Sequence, residues 1–126
     1  MKRKIVLSIK PEYVAKILDG SKKFEYRTRV AKKDVDSLLI YETAPMKKVV
    51  AEAEILDVLA MPPEDLWKLT EKESGIRKSF FDSYFKNRKI AYAYKLGKIT
   101  VFNKPQSLSH FGLLKAPQSF AYVTGR

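Results

Sequence analysis

The chain contains no cysteine and a single histidine, His110, among its 126 residues. Without cysteine there is no disulfide staple, no thiolate nucleophile and no cysteine-rich zinc site. One histidine supports neither a Ser-His-Asp triad nor a multi-histidine metal centre, so His110 reads as a loop or partly buried residue. No apolar run approaches the ~18 residues of a membrane-spanning helix. The basic Met1-Lys2-Arg3-Lys4 is followed by an apolar run from Ile5 to Leu7 only, too short for a signal peptide. There is no G-x-x-x-x-G-K-[ST] phosphate loop, no internal repeat and no low-complexity segment. Acidic residues are scarce: 14 Asp and Glu stand against 25 Lys and Arg, a formal net charge of +11. The expectation is one cytoplasmic domain over residues 1–126, long enough to bury a core without staples, with no metal or cofactor and no membrane partner. Its charge favours a polyanion, because each neutralised phosphate releases condensed counterions.

What is present alternates between strand and helix patterns. Ile5 to Ile9 is a short apolar strand. Pro11 to about Asp19 has Tyr13, Val14, Ile17 and Leu18 at one-sided spacing, with Pro11 suited to a first helical turn. Gly20 fits the left-handed position just past a helix end. Phe24 to Thr28 is extended, and alternation sends Phe24 and Tyr26 to one face, into a barrel, and Glu25 and Arg27 to the other, into a cleft. Val35 to Tyr41 and Lys47 to Leu59 read as strands, the second half-buried with Val49, Ala51, Ala53 and Ile55 on one parity. Pro62 to Leu69 reads as a helix with acidic residues in its first turn. A second helix, Ile76 to Phe85, carries Phe80, Phe81, Tyr84 and Phe85 as a packing stripe over a barrel opening. Lys89 to Phe102 is the longest extended stretch, with Gly97 marking a bulge or a tight hairpin. Phe120 to Val123 is a terminal strand able to close the sheet.

The spacing Gly20-x-Lys22-x-x-Glu25-x-Arg27 resembles the G-x-K-x-x-E-x-R signature of the ASCH domain family, a branch of the PUA-like β-barrels. Leu7-Ser8-Ile9-Lys10-Pro11, Ile40-Tyr41-Glu42-Thr43-Ala44-Pro45 and Pro117-Gln118-Ser119-Phe120 extend the likeness over nearly the whole chain. The resemblance implies an α+β fold, a small PUA-like mixed β-barrel with helical insertions. It also implies a cleft beneath the signature that binds RNA or modified nucleobases.

Lysine and arginine near a glycine turn can hold phosphate, the first as a mobile point charge and the second as a bidentate fork. Glu25 either orients Arg27 or accepts hydrogen bonds from an exocyclic amine on a base edge. The binding residues expected are therefore Lys22, Lys23, Glu25 and Arg27, with Lys10 and the Gln118-Ser119 pair at the rim and Tyr41, at a strand end, stacking a base. Some ASCH-type proteins are amidohydrolases that deacetylate N4-acetylcytidine through a lysine, a threonine and a glutamate. By that resemblance Lys22 matches the lysine, Glu25 stands where the threonine would be, and Glu73 is the candidate glutamate. Losing the hydroxyl removes the nucleophile or proton relay, although a carboxylate beside Lys22 can act as a general base. The leading expectation is a noncatalytic RNA- or nucleotide-binding module. The alternatives are a hydrolase acting on a modified nucleoside or RNA, and an interaction domain for an acidic protein.

Overall fold

The computed structural model describes residues 3–31 and 34–123. Six strands form one mixed sheet in the order β2-β5-β4-β3-β1-β6, comprising β1 (Lys4–Ile9), β2 (Phe24–Arg27), β3 (Ser37–Glu42), β4 (Lys48–Met61), β5 (Ala91–Gln106) and β6 (Phe120–Tyr122). The pairing of β1 with β3 is parallel and the other four are antiparallel. The sheet curls into a half-barrel. The terminal strand β6 extends it beyond β1, so β6 and β2 form its two edges.

Helix α1 (Pro11–Asp19) bridges β1 and β2 as its sequence predicts. Pro11 occupies the first turn and Gly20 takes the left-handed end position at φ +87°, its N–H donating to the Ile17 carbonyl. Val14 and Ile17 face the main core, which Ile5, Leu7, Leu38, Ile40, Ala53 and Tyr94 build on the concave side of the sheet. The alanines of β4 admit this helix because they carry so little side chain.

Helices α2 (Pro63–Thr70) and α3 (Lys78–Tyr84) follow β4. Their Leu66, Phe81 and Phe85 pack on Phe24, Tyr26, Ala91 and Ala93. Strand alternation puts this second cluster on the opposite sheet face from Tyr94 and the main core. The two helices therefore cover the sheet face opposite the main core. This reverses the expected direction of β2: Phe24 and Tyr26 point outward beneath the helices, and Glu25, opposite Tyr94, points inward. Gly97 marks a bulge rather than a hairpin. Strand β5 runs on to Gln106, its register against β4 shifts on either side of Ile55, and a Cβ at Gly97 would lie 2.5 Å from Glu54 Oε1.

Candidate functional site

The signature residues meet at the end of the half-barrel where α1 passes into β2. Lys22 is only 3% exposed because its stem runs through a channel that Gly75 leaves open. A Cβ at Gly75 would lie 2.5 Å from the Lys22 Cβ, and the residue holds φ +68°, where L side chains are strained. At the end of that channel Lys22 Nζ donates to the Ser74 carbonyl at 2.8 Å. It lies 4.9 Å from the Tyr26 ring centroid and 5.6 Å from that of Tyr13, within cation–π range of both.

Glu25 links the two cations. Its Oε2 accepts from Arg27 Nε at 3.0 Å and lies 2.8 Å from Nη2, and its Oε1 lies 3.9 Å from Lys22 Nζ. Arg27 Nη2 also donates to the Ser8 carbonyl at 2.9 Å, tying β2 to β1. Burial pushes the Lys22 amine from its ordinary 10.5 down to about 8, against the opposing pull of Glu25. Beneath it, Tyr26 Oη lies 2.6 Å from Thr70 Oγ1, which itself donates to the Leu66 carbonyl. Desolvation pushes the Tyr26 phenol up to about 12. Among the described residues no buried side-chain nitrogen or oxygen lacks a hydrogen-bond partner.

Above these charges opens a cavity of about 160 Å³, floored by Lys22, Glu25 and Arg27 and walled by Tyr13, Phe80 and Tyr84. Pockets that take drug-sized molecules run to ~300–1,000 Å³, so this one suits a single ring or a similar group. Its lining is mainly apolar, and the polar groups along it include the Glu25 carboxylate, the Lys22 amine and the Arg27 guanidinium.

Of the expected residues, Lys22, Glu25 and Arg27 come together here, with exposed Lys10 at the rim. Lys23 points out of the cleft, and its Nζ lies 3.4 Å from Glu73 Oε2, both side chains being about half exposed. Glu73 lines a neighbouring depression with Gly20, Lys23 and Phe24, which Lys22 also borders. Tyr41 is 7% exposed and packs with Val6, Leu39 and Val49 in a third cluster, away from the cleft. Gln118 is exposed and Ser119 half-buried; their neighbour Pro117 accepts a 2.8 Å hydrogen bond from the Oγ of Ser8, a residue that lines the cavity.

The sequence reading missed the aromatic wall. It placed Phe80, Phe81, Tyr84 and Phe85 together in the core, but only Phe81 and Phe85 are buried, at 1% and 2%. Phe80 is 41% exposed and Tyr84 half-buried, and both face the cleft. The signal was available: positions 80 and 84, like 81 and 85, are one turn apart, and the two pairs are offset by about 100°. Ser74 and Gly75 were missed because their role depends on Lys22, which is remote in sequence.

Three comparisons bear on this arrangement. The ASCH domain model matches residues 7–100. Among curated relatives, the ATP synthase subunit alpha of Ureaplasma parvum is 29% identical over 97% of this chain, and that organism's large ribosomal subunit protein uL22 is 30% identical over 94%. The chain spans only 15% and 39% of the length of those two proteins. An ASCH domain-containing ribonuclease of Zymomonas mobilis is 26% identical over 75% of this chain and 65% of its own length. The crystal structure of ASCH from Zymomonas mobilis superposes with a TM-score of 0.87 at 24% identity, covering 97% of this chain and 88% of that one, which supports the fold.

Proposed function

The chain belongs to the ASCH domain family, and on that premise we propose that residues 1–126 act as one RNA-binding module in the cytoplasm, its cleft holding an unpaired base. The observation that carries this reading is the pairing of an aromatic wall with a buried, polarised floor. Tyr13, Phe80 and Tyr84 offer ring surface to a base. Glu25 Oε1 offers an acceptor and Lys22 Nζ a donor to the base edge, because Arg27 already occupies the other carboxylate oxygen. The net charge of +11 and the ribonuclease among the relatives favour RNA as the source of that base. The phosphates fall to exposed cations such as Lys10, since Arg27 commits its Nε and Nη2 to Glu25 and the Ser8 carbonyl.

The test is a titration of short single-stranded RNAs of differing base composition against the intact protein and Glu25→Gln. If Glu25 reads a base donor, discrimination among bases changes by about 1–3 kcal/mol. Unchanged affinity and base preference in a folded Glu25→Gln variant would refute the assignment.

One observation favours a second reading, hydrolysis of a modified nucleoside or of RNA. The Lys22 amine, lowered to about 8, lies beside the Glu25 carboxylate at the base of the cavity. A tenth or so of this amine is neutral near pH 7 and able to take a proton. Turnover of N4-acetylcytidine or of single-stranded RNA that disappears in Lys22→Ala would establish it; no turnover leaves the binding module.

A further inference from the structure

We infer that Phe80 stacks a second base, next along the strand to the one in the cleft, so that the ligand is a single-stranded segment of at least two nucleotides. This rests on the reading of the cleft as a base pocket. Phe80 is the most exposed aromatic ring on α3, and it keeps 41% of its surface exposed at the cleft mouth. It is also held in place. The Tyr84 ring lies nearly parallel to it, at 11° and 6.0 Å between centroids, and the Tyr13 ring lies 5.9 Å away on α1. A mobile surface phenylalanine would lose conformational freedom on binding, whereas one braced by two rings presents a fixed face at lower cost.

The cavity sets the number of bases. At about 160 Å³ it takes one ring and leaves the next nucleotide outside. Phe80 lines the mouth and is the open aromatic surface that this nucleotide meets first. Exposed Lys10 on the same rim supplies a counter-charge for the strand between the two bases. Stacking on an aromatic face tolerates every base, because each has a π-face. The outer position therefore adds affinity and little selectivity, while selectivity stays with Glu25 and Lys22.

The experiment compares cytidine and uridine monophosphates, their dinucleotides, and dinucleotides with an abasic sugar at either position, by nuclear magnetic resonance titration of the full chain. The second base should raise affinity ~5-fold or more in the intact protein, the scale of one aromatic stacking contact. Phe80→Ala should abolish that gain, so that mononucleotide and dinucleotide bind the variant alike, and Phe80→Trp should restore it. A dinucleotide gain equal in the intact protein and Phe80→Ala overturns the outer stacking position and spares the cleft. Mononucleotides that fail to shift the resonances of Lys22 and Glu25 overturn the cleft reading and this inference together.

Discussion

At the scale of single residues, the site is organised around a lysine whose charge is costly to keep. Lys22 is almost completely buried, and its amine is lowered to about 8 chiefly by desolvation. The consequence for stability has a definite sign. Between pH 8 and 10.5 the unfolded chain still binds the lysine proton while the folded chain has lost it, so stability contributed by this group rises with pH across that window. The shift corresponds to about 3 kcal/mol at most. Above pH 10 the raised Tyr26 phenol acts in the opposite direction, because the unfolded chain ionises first. Denaturant midpoints measured from pH 7.5 to 10 should therefore rise in the intact protein more steeply than in Lys22→Met. The variant also cancels the general effect of shedding positive charge, since both proteins share it. Parallel profiles would mean that Lys22 titrates normally. Gly75 is the second residue on which the site depends. Gly75→Ala combines a strained φ with a 2.5 Å approach to the Lys22 stem, and should destabilise the fold by about 1–3 kcal/mol. Thermal melts of Gly75→Ala, of Lys22→Gly and of the two combined separate the two costs: Lys22→Gly removes the Cβ, Cγ and Cδ that the new methyl would meet, so in that background Gly75→Ala should cost only the strained φ.

At the scale of elements, what was legible was local. Pro11, Gly20 and the spacing of Val14 and Ile17 define α1 without reference to the rest of the chain, and the structure places the helix from Pro11 to Asp19. Alternation correctly separates Phe24 and Tyr26 from Glu25 and Arg27, but it cannot say which face is inward. That depends on α2 and α3, which come from much later in the chain and cover the outer face. Tyr41 is a similar case. A strand-end tyrosine beside a proline turn looks available for stacking, yet the segment around Leu108 and Phe111 folds back to cover its cluster. The aromatic stripe of α3 shows the difference between composition and geometry. Phe80 and Tyr84 stand about 100° round the helix from Phe81 and from Phe85, just past its end, so the stripe divides into a buried pair and a cleft-facing pair. Phe81→Ala should accordingly cost about 3–5 kcal/mol, as for other buried phenylalanines. The adjacent Phe80→Ala should cost less than about 1 kcal/mol, within the range of surface substitutions and lost partial packing. Chemical denaturation of the two variants side by side checks this. Equal losses would place Phe80 in the core and remove it from the cleft.

At the scale of the whole molecule, charge and site are partly separate systems. The formal charge of +11 belongs to the chain as a whole, whereas the signature's own cations are largely spent internally. Lys22 is engaged with the Ser74 carbonyl and Glu25, and Arg27 with Glu25 and the Ser8 carbonyl. An arginine held by the Glu25 carboxylate and the Ser8 carbonyl is poorly placed to exchange them for a phosphate, since freeing it would leave the buried Glu25 without its nearest partner. Salt should therefore act on RNA binding through the exposed lysines and arginines, and hardly at all through the cleft floor. Each phosphate contacted by a single strand contributes about 0.7 to the slope of log affinity against log salt. Lys10→Ala should lower that slope by about 0.7 if Lys10 meets a phosphate. Arg27→Ala should leave the slope unchanged while weakening binding at every salt concentration, because it disturbs the orientation of Glu25. Glu25→Gln and Arg27→Ala should then be strongly non-additive, as for residues in one hydrogen-bonded network. Fluorescence titrations from 50 to 300 mM salt, with single-stranded RNA and the three variants, decide the matter. A slope that falls in Arg27→Ala as much as in Lys10→Ala would make the arginine a phosphate ligand, released from Glu25 when RNA binds.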